Sequence, residues 1–490
     1  MSHFYFCKLS DRIEELKHLR YLDLIFSLYT DSRRPISFPK SLSNLILLQT
    51  LIVGEYDEES FLEVVIKLVN LRCLDKGDVF KGTAVGLGTL SSLQFLPTFV
   101  VGDSQKRRYG TLNELKDLNL QGKLEILQLN RVTDVALESQ DVNLKEKRFL
   151  QSLTLDWYFD YTDIRNSDSL QLLENLQPHH NLKQLEVRYY PGKRFPDWLS
   201  LLTNVVHITL FELRNCSCLP PLERLRSLKS LVINCLRKLE YIYLEDGFAV
   251  TFFPSLEELI LLACPVLRGW RRRGDDINDS KNSHNHSLSL SFPPLSKLRI
   301  LLCPKLICMP TFPNVKDLDL AGSSVKPLIA TLNTAASTCS VDSSSFVAPL
   351  CMLKQFHISD SLNLQKGWMQ NLTSLESLRI VWCQSETLEG FETGLPDDIN
   401  CLPSLRQITI ESSTNLKALP DWIFNLSSLQ HLIIHHYLNL ASLPEGMTRL
   451  TNLKILQVSH CPLLIEECRS ETSAVSRRIA HIPEIILRNF

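Results

Sequence analysis

No uninterrupted apolar run approaches the ~18 residues that a membrane-spanning helix requires, so none is expected. An excess of one charge is missing too: 52 Lys and Arg stand against 54 Asp and Glu, a formal net charge of −2. That balance gives no electrostatic reason to expect nucleic acid or an anionic membrane as a partner. Glycine (17) and methionine (5) are scarce in 490 residues, which excludes a collagen-like chain and a flexible-linker protein. Fourteen cysteines are too dilute for a disulfide scaffold, and most lie just after apolar stretches where buried thiols are common. A reducing, intracellular setting is expected. The opening residues, Met1-Ser-His-Phe-Tyr-Phe-Cys-Lys8, lack a basic segment followed by a long apolar stretch and a small-residue cleavage site, so secretion is not expected.

Signatures of catalysis are missing as well. There is no G-x-x-x-x-G-K-[ST] phosphate loop, no H-E-x-x-H, no G-x-S-x-G and no dinucleotide glycine fingerprint. No catalytic or cofactor-binding residue is nominated, and an enzyme is not expected. Cys216-Ser-Cys218 and His284-Asn-His286 are the tight clusters of soft ligands, but structural zinc wants paired spacings and neither has a second pair nearby. No metal site is expected. Cys264, Cys303 and Cys461, each followed by Pro, read as structural thiols at strand ends. The sequons at Asn215, Asn371 and Asn425 read as chance matches without an export signal.

What the chain has instead is one phrase, apolar-x-x-apolar-x-apolar, from end to end. It runs Leu19-Arg-Tyr-Leu22-Asp-Leu24, Leu48–Val53, Leu124–Leu129, Leu150–Leu155, Leu182–Val187, Val205–Leu210, Leu228–Ile233 and Leu256–Leu261. It continues through Leu295–Ile300, Val315–Leu320, Leu353–Ile358, Leu375–Ile380, Leu405–Ile410, Leu429–Ile434 and Leu453–Val458, with looser copies from Leu71 and Leu93. About seventeen copies, mostly ~22–32 residues apart, match the leucine-rich-repeat period. Residues two apart on a strand share a face, so Leu153 and Leu155 point inward while Thr154 points out. One such unit cannot bury its inner face alone, whereas parallel stacking completes both ladder and core. The fold expected is an α/β leucine-rich-repeat solenoid, a horseshoe with a curved parallel sheet on its concave face. Irregular or short helical segments would form the convex side. Apolar pairs ending in Leu395-Pro, Leu419-Pro and Leu443-Pro would turn the chain back there, with Pro ending any helical turn.

Two intervals break the rhythm, Leu256 to Leu295 and Val315 to Leu353. The first holds a polar insertion at about 271–291, the second a Ser/Thr-rich stretch at 331–346; both read as mobile surface loops. The division expected is an N-terminal arc over 1–330, a loop at 331–346, and a C-terminal arc with its cap over 347–490.

The segment 93–157 carries a more specific signal. It contains Leu93-Gln-Phe-Leu-Pro-Thr-Phe-Val-Val-Gly102, then Gly110-Thr-Leu-Asn-Glu-Leu-Lys-Asp-Leu-Asn-Leu-Gln-Gly-Lys-Leu-Glu-Ile126, then Asn143-Leu-Lys-Glu-Lys-Arg-Phe-Leu-Gln-Ser-Leu-Thr-Leu-Asp-Trp157. Further on stand Phe195-Pro-Asp-Trp-Leu199, Cys218-Leu-Pro-Pro-Leu222 and Cys461-Pro-Leu-Leu464. These strings resemble the repeat region of plant coiled-coil nucleotide-binding leucine-rich-repeat disease-resistance proteins. The resemblance implies a non-catalytic surface that senses a pathogen effector or an effector-modified (guarded) host protein in defence. It also implies that the repeats restrain a nucleotide-binding (NB-ARC) module, in cis or in trans. With Glu15–Leu24 already a repeat phrase and the phosphate loop missing, the chain reads as a receptor fragment, a truncated product or a repeat-only relative. The location implied is cytoplasmic, with nuclear exchange left open. Two alternatives remain, a stand-alone intracellular scaffold and a ubiquitin-ligase substrate-recognition subunit. The latter wants an F-box-like module before the first repeat.

Candidate binding residues are the strand residues expected to face outward. In one group stand Trp157, Arg188, Tyr189 and Phe211; in another Arg379, Trp382, Glu411 and His435. Trp, Tyr and Arg are enriched at hot spots because they bury much area and carry a polar handle. The competing reading for Trp157 is that it is covered and structural.

Overall fold

The computed structural model describes residues 7–25, 36–54, 56–76, 82–102, 109–158, 168–222, 225–244, 253–272, 292, 294–310, 312, 314–328, 350–359, 372–382, 402–412, 419 and 421–488. The two expected loops fall outside the described residues almost entirely; only residues 271–272 of the first lie within them. The chain divides into two compact units, Met1–Leu228 and Lys229–Phe490.

In the first unit the strands Tyr21–Leu24, Thr50–Val53 and Cys73–Asp75 form one parallel sheet. Five more follow in chain order, Thr98–Val100, Gly122–Leu127, Leu150–Asp156, Gln184–Arg188 and His207–Phe211, each parallel to the next. The second unit stacks ten in the same manner, from Ser230–Asn234 to Ile455–Ser459 and a last strand at Glu484–Arg488. Parallel order with one strand of the main sheet per coil makes each unit a leucine-rich-repeat solenoid; Cys7–Lys8 with Ile36–Ser37, and Tyr241–Leu244 with Gly269–Arg272, pair in small parallel sheets of their own. Between strands the chain passes through 3₁₀ turns and short helices, the longest among the described residues being the eight-residue Glu58–Val65 and Pro462–Arg469.

Alternation sets the core. Leu153, Leu185 and Ile208 pair in register, as do Leu155, Val187 and Leu210, and all six are buried. The second unit repeats this with Leu259–Leu298 and Leu261–Ile300. Each fully buried side chain contributes about 1.5–3 kcal/mol. Behind the strands a period of three takes over: Leu42-x-x-Leu45-x-x-Leu48, Leu87-x-x-Leu90-x-x-Leu93, Leu199-x-x-Leu202-x-x-Val205 and Met447-x-x-Leu450-x-x-Leu453 are all buried. A 3₁₀ turn has three residues per turn, so these side chains eclipse on one face.

Two expectations are corrected. Proline opens these turns rather than ending them: Pro39, Pro196 and Pro444 hold the N-cap positions of Lys40–Asn44, Asp197–Leu201 and Glu445–Arg449. At that position a missing N–H costs nothing, φ near −65° suits the turn, and the Pro carbonyl accepts its first hydrogen bond, as from the Leu42 N–H at 3.0 Å. The copy at Leu93 makes only a single bridge at Phe95, and its strand begins at Thr98. Pro97 stands between and has no N–H for a ladder.

One regularity falls outside the period-two pattern. In eight coils the residue just after the strand is a non-glycine in the left-handed region: Gln128, Tyr189 and Glu212 in the first unit, and Cys235, Ala263, Leu302, His436 and His460 in the second. Seven of these, all but Gln128, lie seven places beyond the first apolar residue of their phrase, as Tyr189 does from Leu182. Six of the eight N–H groups bond the neighbouring coil, among them Tyr189 to the Phe211 carbonyl at 2.9 Å and Ala263 to that of Leu301 at 2.9 Å. The turn flips the chain so that the next residue points inward. Tyr190, Leu213, Leu236, Cys264, Cys303, Tyr437 and Cys461 are all fully buried.

Candidate protein-binding face

In the first unit the candidates separate into a support and a surface. Trp157 is not on the surface: it is only 3% exposed. This overturns its expected outward placement. In this coil the alternation Leu153, Leu155, Trp157 continues without a flip, so period two carries the indole to the core side. Its ring meets Tyr190 of the next coil edge-on at 5.1 Å, and its backbone N–H donates to the Arg188 carbonyl at 3.1 Å.

Arg188 and Phe211, in register on adjacent strands, are half-buried on the outer side, and so is Tyr189. The Tyr189 and Phe211 rings meet edge to face at 5.4 Å. The Arg188 guanidinium donates to Glu186 at 2.7 Å and lies 3.9 Å from Asp156. The hydrogen bond to Glu186 raises Arg188 above its ordinary value, so it stays charged. Burial raises Asp156, against the hydrogen bond its carboxylate accepts from the Tyr158 N–H at 2.6 Å. The Tyr189 phenol is raised as well, by burial first and then by Asp156 and Glu212. A neutral aromatic pair therefore sits beside an anchored cation.

The second unit brings together three of its four candidates. Arg379 donates to Glu411 at 2.6 Å, and the other Glu411 oxygen lies 3.5 Å from Nδ1 of His436, next to His435. His436 stacks on His460 at 4.6 Å with 11° between planes. Burial pushes Glu411 up, but the hydrogen bond and charge of Arg379, with both histidines, outweigh it and hold the carboxyl below its ordinary range. His435 is half-buried, and its imidazole is lowered by burial more than Glu411 raises it. Trp382 ends the strand Ser377–Trp382, and its side chain lies outside the described residues. Glu212 and His460 escaped the sequence reading. The available signal was their offset, seven residues past Val205 and Leu453.

Cys216, Cys264, Cys303 and Cys461 are buried. Cys216 donates to the Cys218 carbonyl at 2.9 Å, and burial pushes its thiol up to about 12. Cys303 and Cys461 donate to carbonyls two residues back, at 3.4 and 3.2 Å. His284 and His286 lie outside the described residues, among which no group of three or more His, Cys, Asp or Glu has the geometry to hold a metal. Nor is any helix among the described residues long and apolar enough to cross a membrane.

Residues 112–236 match the family described as R13L1/DRL21 LRRs. The repeats over these residues are similar to those of that family. The chain is 33% identical over 296 residues, 60% of its length, to RGA1 of Solanum bulbocastanum, and 35% identical over 247 residues, 49% of its length, to RGA4 of the same plant. To RPP13-like protein 1 of Arabidopsis thaliana it is 30% identical over 354 residues, 65% of its length. All three are described as disease resistance proteins. The matches take in 27%, 23% and 32% of those proteins, so the chain spans about a quarter to a third of the relatives it matches. Among solved structures, that of a TLR13–ssRNA13 complex covers 96% of this chain and 70% of its own at 17% identity, TM-score 0.48. A Leptospira interrogans LRR protein covers 97% of both at 17% identity, TM-score 0.40.

Proposed function

We propose that the chain is a non-catalytic protein-recognition region of a plant immune receptor, reading an effector or an effector-modified host protein on the outer side of its sheet. By the same reading it packs on the nucleotide-binding module of such a receptor and restrains it. The family likeness supports the setting. The observation that carries the surface is the Tyr189–Phe211 ring pair beside the charged Arg188. Two half-exposed rings in edge-to-face contact present rigid apolar area at small entropy cost, and a paired guanidinium beside them supplies direction. The group Arg379, Glu411 and His435 offers a polar counterpart in the second unit.

The test compares binding with stability. The probes are a cognate effector and the nucleotide-binding module of a receptor of this type, each added in trans and titrated by calorimetry. Tyr189→Ala and Phe211→Ala are each expected to weaken binding about tenfold to a hundredfold, at ~1–3 kcal/mol per hot-spot truncation, with melting temperatures within a few degrees of wild type. Unchanged binding in both variants would remove this surface from the proposal.

A further inference from the structure

The last strand, Glu484–Arg488, stands at an edge of its sheet and, among the described residues, has a neighbour on one side only. Its register with Ile455–Ser459 places Ile485 against Leu456 and Leu487 against Val458. Leu456 and Val458 are fully buried, yet Ile485 is 38% exposed and Leu487 half-exposed. Among the described residues these core positions are less covered than their partners on the inner strand. The backbone is open as well. Glu484 donates its N–H to the Lys454 carbonyl at 3.0 Å, and Arg488 accepts from the His460 N–H at 3.1 Å. In a parallel ladder every second residue bonds a given neighbour. Glu484, Ile486 and Arg488 therefore face the inner strand, while the N–H and C=O of Ile485 and Leu487 point to the free edge.

We propose that this edge pairs with a second copy of the chain, antiparallel, about a two-fold axis at Ile486. The sequence Glu-Ile-Ile-Leu-Arg is what selects that partner. Centred on Ile486, antiparallel pairing sets Ile485 opposite Leu487 of the second copy and Leu487 opposite its Ile485. These are the residues whose backbone groups are free, and the pairing satisfies all of them with four hydrogen bonds. Residues directly opposite share a face, so their side chains, both on the core side, join two cores across the axis. Glu484 then stands opposite Arg488 of the second copy, twice, in the closer non-hydrogen-bonded positions. A shift by one residue either way breaks both ion pairs and leaves an outward residue facing an inward one. Isologous pairing closes after two copies, so a dimer forms and not a fibre. Five residues span only about 17 Å, and the contact is correspondingly weak.

Sedimentation equilibrium of the 490-residue chain from 1 to 100 µM tests this. A concentration-dependent monomer–dimer equilibrium is expected in that range. Glu484→Arg or Arg488→Glu alone sets like charges across the axis and is expected to raise Kd at least tenfold. The double swap Glu484→Arg with Arg488→Glu restores complementarity and is expected to return Kd to within about threefold of wild type. Both side chains are exposed, so none of these changes touches the core, and circular dichroism checks the fold. A chain that stays monomeric throughout overturns the proposal. So does a dimer indifferent to the single reversals or not rescued by the double swap, and so do oligomers that keep growing.

Discussion

At the scale of single residues, two aromatics on adjacent coils behave as opposites. Trp157 is enclosed and Tyr189 stands half in solvent, so alanine should separate them. Trp157→Ala is expected to cost about 3–5 kcal/mol through the void left against Tyr190, read as a shifted denaturant midpoint. Tyr189→Ala is expected to cost about 1 kcal/mol or less. His435 supplies a pH signature. Its imidazole has an ordinary value near 6.5 when unfolded and a lower one when folded, because of burial. Below pH 6.5 the unfolded chain thus binds more protons, and stability is lost as the pH falls through the window between the two values. Melting temperatures at pH 7.5 and 5.5 are expected to differ more for wild type than for His435→Gln. An equal difference would mean that the folded environment does not depress this histidine. The inward placement of Trp157 was legible, since it continues the count from Leu153 and Leu155. The identity of Trp suggested a surface there, and the alternation was the better guide; at Tyr189 the left-handed turn breaks the same count and keeps the ring outside.

At the scale of elements, strand positions were legible wherever the phrase is regular, because a repeated Leu-x-x-Leu-x-Leu leaves one register that buries both final leucines. The left-handed residue after the strand was not. Glycine and asparagine announce that conformation, and here the position is held by Tyr, Glu, Cys, Ala, Leu and His. The stacked geometry, in which six of the eight N–H groups find the next coil, offsets the cost. The final strand was unread for a related reason: Glu484–Arg488 has no leucine phrase and takes its conformation from Ile455–Ser459 beside it. A charged side chain also ties elements together. Lys147, buried, donates from Nζ to the carbonyls of Leu115 at 2.8 Å and Leu118 at 2.7 Å in the preceding coil. Lys147→Met leaves both carbonyls without that donor and is expected to cost about 2–4 kcal/mol. Lys147→Arg is not expected to rescue it, since a planar guanidinium does not reproduce a compact ammonium in that space.

At the scale of the molecule, each coil leans only on its neighbours, so damage is expected to stay local. Leu185→Asp buries an unpaired carboxylate between Leu153 and Ile208 and should cost several kcal/mol. Amide exchange is expected to accelerate in Leu150–Asp156, Gln184–Arg188 and His207–Phe211, while Thr50–Val53 keeps its protection. Uniform loss across the first unit would show that it unfolds as a single block and not coil by coil.

The left-handed residues also set stability and recognition against each other. Each non-glycine held there costs about 1 kcal/mol that glycine would not. A screen for thermostable variants should therefore gather glycine or asparagine at Tyr189, Glu212, His436 and His460. The heat-resistant chains it selects would have lost, one by one, the side chains at the ends of their strands that a ligand could touch.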